Sequence, residues 1–247
     1  MVGTDYKDWR NRMALPITEH PLIDVHIHSL NKKVKFRPFL VKEEKLLVLA
    51  NETKDPLEMI KATQQVVTNC SFGEVDGEEL PLFDMQNVFL HLRKVSISEI
   101  IESKLLCGHC EKPNDVIIDL NKFNLITGDN HQNEIRLSDS LTVEMRYPTA
   151  TELESLKKAE DGESKQIYDV AASCISKLYY EDTIIDGEDF DEKSREEFID
   201  NLESTQFVLL RQFFETMPAI EQKIEFTCRH CEKENEVFLN GYFDFFV

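Results

Sequence analysis

The apolar positions change period several times along the chain, and the changes divide it into blocks. Residues 22–30 and 34–39 alternate apolar and polar side chains, which predicts two strands joined by a turn at Asn31, Lys32 and Lys33. Residues 41–51 then switch to helical spacing with acids in the first turn. Asp55 followed by Pro56 marks the start of another helix, running to about Cys70, because aspartate caps a helix and proline suits its first position. Gly73, Gly77 and Pro81 make residues 71–83 a loop, and Asp84 is expected to cap a further helix through about Lys94.

From Ser96 the pattern returns to period two on both sides of a cysteine pair, and residues 134–146 hold two alternating runs around a Ser-Asp-Ser turn. Residues 163–180, 191–203 and 205–217 read as helices, with Pro218 stopping the last. A strand-like stretch follows, carrying a second cysteine pair and ending in the aromatic tail Tyr242 to Val247, which is either a packed last strand or an exposed adhesive segment. The fold class expected is α+β, with helical blocks and β hairpins and a zinc-ribbon-like four-cysteine module formed by two distant knuckles. The expected organisation is a polar arm over residues 1–20 and a single α+β domain over 21–247, with the module drawn from 97–122 and 221–247.

Composition changes this picture little. An apolar fraction of 41 % with 16 phenylalanines belongs to a folded chain. A net charge of −19 argues against nucleic acid and anionic membrane surfaces, since both are bound chiefly by Lys and Arg. No apolar run reaches the roughly 18 residues of a membrane span, and the first residues lack the core of a signal peptide, so a reduced, cytoplasmic setting is expected.

In that setting two Cys-x-x-Cys elements read as metal ligands. They sit in an internal repeat, CGHCEKPNDV from Cys107 and CRHCEKENEV from Cys228, so that Cys107, Cys110, Cys228 and Cys231 are the expected ligands of one structural zinc ion. The gap of 117 residues between the pairs is long for a ribbon, but loop-closure entropy grows only slowly with length. His109 and His230 fall inside the loops and are expected to face solvent or support the sulfurs. A rival reading makes Cys107 and Cys110 the redox pair of a thiol-disulfide oxidoreductase, which needs a helix start behind the first cysteine. Cys70 and Cys174 lie on the apolar faces of predicted helices and are expected in the core.

Other constellations look catalytic without completing a site. Asp24-Val25-His26-Ile27-His28 imitates the His-x-His of metal-dependent hydrolases, but only His91 and His131 remain downstream as further ligands. The acids of residues 181–198 lack the glycine and glutamate positions of a calcium loop and are expected to form a solvated loop entering a capped helix.

Several stretches, in order, resemble one family: the run from Lys33 to Lys45 (KVKFRPFLVKEEK), Leu80-Pro81-Leu82-Phe83-Asp84, Phe213-Phe214-Glu215-Thr216-Met217-Pro218, and Phe226-Thr227-Cys228 with His230, Cys231, Gly241, Phe245 and Phe246. The family is that of the baseplate hub assembly proteins of T4-type phages. The resemblance implies a non-enzymatic assembly factor, chaperone-like, or a structural subunit of the central hub of a contractile tail. Its implied partners are baseplate hub or tape-measure proteins, and its implied location is the host cytoplasm during assembly or the virion baseplate.

Overall fold

The computed structural model of the protein describes residues 20–157 and 163–239. The aromatic tail and nearly all of the arm lie outside these residues. The described chain is α+β, with seven helices and four small antiparallel sheets. It opens with the expected hairpin, β1 (Ile23–Ile27) against β2 (Lys32–Phe36), whose alternation sends Val25, Ile27, Val34 and Phe36 into the core.

Three helices follow: α1 (Val41–Thr53), α2 (Pro56–Cys70) and α3 (Leu82–Ser96). Asp55 caps α2 as predicted, its carboxylate accepting from the Leu57 N–H at 3.0 Å. Asp84 does not cap α3, which begins two residues earlier, after Pro81. Its buried carboxylate instead accepts the backbone N–H groups of His28 and Ser29, each at 2.8 Å, and so ties the first hairpin's turn to this helix.

Next come the hairpin β3 (Ile100–Leu106) and β4 (Pro113–Asp119), then β5 (Asn124–Ile126) and the hairpin β6 (Glu134–Arg136) and β7 (Leu141–Met145). After α4 (Ala150–Lys157) and α5 (Glu163–Ser173) the expected long helix ends early. Ile175–Tyr180 is a strand, β8, paired with β7 on one side and with β9 (Thr183–Asp186) on the other. Its β-branched and aromatic residues find ladder partners there, which a helix reading by spacing alone ignores. Helix α6 (Glu192–Asp200) is capped by Asp191, and α7 (Ser204–Thr216) leads into β10 (Ala219–Thr227) and β11 (Glu234–Leu239).

Two apolar cores form. The first gathers β1 to β4 and α1 to α3 together with residues of β10 and β11, which return from the far end of the chain. The second holds β7, β8 and α5 to α7. They meet along a polar and aromatic seam where Gln64 donates to Thr151 at 2.9 Å and Phe83 stands edge-on to Tyr147. Among the described residues no helix is long and apolar enough to cross a membrane.

The element order recurs. A hairpin, two helices, a further helix and a second hairpin make up the chain from β1 to β4, and again from β6 to β11, where β8, β9 and α6 are interposed before the last helix. One ion-pair device recurs with it. In the first half the Arg37 guanidinium holds Glu43 at 2.9 Å while the Glu43 carboxylate also accepts the Leu40 N–H, and the Arg37 N–H donates to the Cys70 carbonyl. In the second half Arg146 holds Glu152 at 2.6 and 2.9 Å, Glu152 accepts the Thr149 N–H, and the Arg146 N–H donates to the Cys174 carbonyl.

Candidate metal centre

Both cysteine pairs sit in the turns of antiparallel hairpins, and the two hairpins share one register. Leu105 faces Asn114 and Leu106 faces Pro113 across β3 and β4, as Phe226 faces Asn235 and Thr227 faces Glu234 across β10 and β11. Each turn closes in the same way. The Cys107 N–H donates to the Lys112 carbonyl and the Glu111 N–H to the Cys107 carbonyl, while Cys228, Lys233 and Glu232 repeat the pattern. Glu111 and Glu232 both take the left-handed conformation, with φ of 57° and 58°, a strain that the doubly bonded turn holds in place.

The turns meet. Cys107 Sγ lies 3.6 Å from Cys231 Sγ, Cys110 Sγ lies 3.6 Å from Cys228 Sγ, and all four sulfurs fall within 4.8 Å of one another. A disulfide would require about 2.05 Å. Four ligands at about 2.3 Å around a tetrahedral ion stand roughly 3.8 Å apart, so the donor set fits a metal ion held by four thiolates. Among the described residues this is the one such cluster of His, Cys, Asp or Glu side chains. Cys107 and Cys228 are buried, and Cys110 and Cys231 half-buried.

The electrostatics point the same way. Burial opposes ionisation of Cys107 and Cys228, but the N–H groups of His109 and Cys110, and of His230 and Cys231, outweigh it and hold both thiols below their ordinary range. The His109 and His230 N–H groups donate to these sulfurs at 3.4 Å. At Cys231 the Lys233 N–H favours the thiolate, yet burial and the other three sulfurs override it and push the thiol up. Four negative sulfurs so close compete for ionisation, and a bound cation removes that competition.

His109 and His230 contribute backbone donors while their side chains are exposed. Cys107 and Cys110 lie between two strands rather than at a helix start, so the redox reading lacks the helix terminus it needs. Cys70 and Cys174 are fully buried, and desolvation pushes each thiol up to about 12.

The histidines do not form a second site. His26 and His28 stack edge to face at the end of β1. Desolvation lowers His91 to about 4, and His131 is bonded at 2.9 Å to both Thr216 and Tyr147 within the seam. The acidic stretch is not the plain loop expected, since it contains β9 and a short 3-10 turn before Asp191 caps α6 with a 2.8 Å bond to the Ser194 N–H.

Two residues escaped the sequence reading although the repeat contains both of them. The Asn114 Oδ1 accepts the N–H of Arg229 at 2.9 Å, and the Asn235 Oδ1 accepts the N–H of Gly108 at 2.9 Å. Each asparagine thus reaches from its own hairpin to the opposite turn. Their recurrence at the same offset from the cysteines was the available signal.

The family model for T4 bacteriophage base plate proteins matches residues 20–247. No curated protein and no solved structure matches the chain.

Proposed function

The chain belongs to the family of T4 bacteriophage base plate proteins, and on that premise we propose that it is a non-enzymatic assembly factor or structural subunit of the central hub of a contractile phage tail, built around a structural zinc ion on Cys107, Cys110, Cys228 and Cys231. Membership implies contacts with other baseplate proteins, and the hub or tape-measure proteins are the partners proposed. It works in the host cytoplasm while tails are built and stays in the virion baseplate if it is a subunit.

The observation that carries the metal reading is the four-sulfur cluster assembled from cysteine pairs 117 residues apart, on hairpins that both contribute to one core. Four thiolates complete a tetrahedral shell and leave no position for a substrate or reactive water, which is the arrangement of a structural site. Zinc is the ion expected because a closed shell of soft thiolates suits it and gives it no redox chemistry.

Protein purified under reducing conditions should contain about one zinc per chain. Cys107→Ser and Cys228→Ser should each lose the metal and much of the thermal stability. A zinc-free native chain that is as stable as the zinc-supplemented one would refute the metal reading. For the assembly role, a tagged chain recovered from infected cells should bring hub or tape-measure proteins with it, and enrichment of sheath or tail-fibre proteins alone would count against the hub.

A further inference from the structure

The two asparagine bonds cross between hairpins, and their reciprocity is what gives them weight. An asparagine in a turn ordinarily bonds its own backbone, and both do this: the Asn114 Nδ2 donates to the Lys112 carbonyl and the Asn235 Nδ2 to the Lys233 carbonyl, each at 2.9 Å. The other end of each amide is free to face water or the neighbouring hairpin. In both cases it takes the N–H of the residue that directly follows the first cysteine of the opposite pair. Each amide is fixed at both ends; Asn114 is buried, where an unmade bond is costly, whereas Asn235 is half-buried and its two bonds are exposed.

We infer that Asn114 and Asn235 are reciprocal latches: positioning residues that hold the two cysteine turns face to face before a metal arrives, and that slow its departure afterwards. This deepens the zinc reading and rests on it only for the second half of the statement. The physical argument concerns where the entropy of closure is met. The shared core already brings the two hairpins together, and what remains is to fix their turns face to face, so that the ion meets a preorganised set of sulfurs. Loss of the ion requires at least one turn to swing away, and each latch resists that movement.

The two latches are not equal. Beside the Asn114 bond, Arg229 also pairs with Asp115 at 2.5 Å, an exposed ion pair that adds a weaker, water-screened tie on the Arg229 side. Gly108 has no side chain to offer on the other side. Asn114→Ala therefore removes a part-buried bond but leaves an exposed ion pair, and Asn235→Ala removes the sole latch that Gly108 has.

The test is amide hydrogen exchange in metal-free wild type, Asn114→Ala and Asn235→Ala, followed by zinc release to a chromophoric chelator from the loaded proteins. In the wild type both amides, Gly108 and Arg229, should be protected without metal. Asn235→Ala should speed exchange at Gly108 and spare Arg229, and Asn114→Ala should do the reverse, each acting on a residue more than a hundred positions away. Zinc release should quicken by about tenfold in the single variants and further in the double variant.

Unchanged exchange at both amides, or equal release rates in all four proteins, would overturn the latch. A wild-type chain that takes up no zinc while its two amides stay cross-protected would sink the zinc reading and leave the latch standing. Should Asn114→Ala fail to fold, Asn114→Asp carries the test, because it keeps an Oδ acceptor for Arg229 and loses only the donor to Lys112. Continued protection of Arg229 then supports the latch, and its loss overturns it.

Discussion

The halves of the chain use one device at two depths. In each, an arginine leaving the first hairpin holds a glutamate six residues on, in the first turn of the next helix, and donates its N–H to the carbonyl of a cysteine at the end of the helix after that. In the first half the pair is sunk in the core, with side-chain exposures of 11 % for Arg37 and 1 % for Glu43; in the second, Arg146 and Glu152 keep 40 % and 32 %. The same bonds therefore carry different weights. A buried pair is strongly destabilised when one partner is lost, because the survivor is an uncompensated charge, whereas a half-exposed one is rescued by water.

The largest effect should come from removing the buried arginine. Arg37→Ala leaves the buried Glu43 with only the Leu40 N–H and the largely exposed Lys42 ammonium at 3.4 Å, and should cost about 3–5 kcal/mol in denaturant unfolding, against about 1 kcal/mol for Arg146→Ala. Equal costs would break the contrast between the halves.

Acid should reveal the same difference at lower amplitude. Burial raises the Glu43 carboxyl, but the Arg37 guanidinium and the Leu40 N–H outweigh it and hold it below the usual carboxylate range; burial is likewise outweighed at Glu152, by Arg146 and the Thr149 N–H. A carboxylate depressed on folding stabilises above its unfolded value and loses that contribution as pH falls through the folded one. Stability measured downward from pH 7 should thus decline more gently in Glu43→Gln than in the wild type, with a smaller change in slope for Glu152→Gln.

Thiol chemistry should treat the halves alike and separate the metal centre from both. After chelation, a disulfide reagent should reach the half-buried Cys110 and Cys231 in the native protein, while Cys70 and Cys174, pushed up to about 12 by burial, should react only on unfolding. Fast modification of either lone cysteine would contradict its place in the core. The smallest effect expected is at the Asp55 cap, where Asp55→Ala should cost about 1 kcal/mol.

Much of this was readable from side-chain pattern. The hairpin at β1 and β2, the helices α1 and α2 and the cap at Asp55 follow from local spacing and turn chemistry, which need no distant partner. The failures have a common cause. Residues 175–180 continue a helical apolar period but became β8 because β7 and β9 offered a ladder. Asp84 has the local signature of a cap, and a turn 55 residues earlier claimed its carboxylate.

By itself the order of residues determined which atoms could hold a metal, since thiolate chemistry and the repeated CxHCEKxN spacing are local properties, and it determined the family. Only the tertiary structure decided that the two turns meet, that Asn114 and Asn235 reach across as well as bonding their own turns, and that Glu43 is sealed in the core while Glu152 stays partly open to water. Those outcomes depend on where remote segments pack. Burial and solvation belong to the assembled surface and are written in no single stretch of chain.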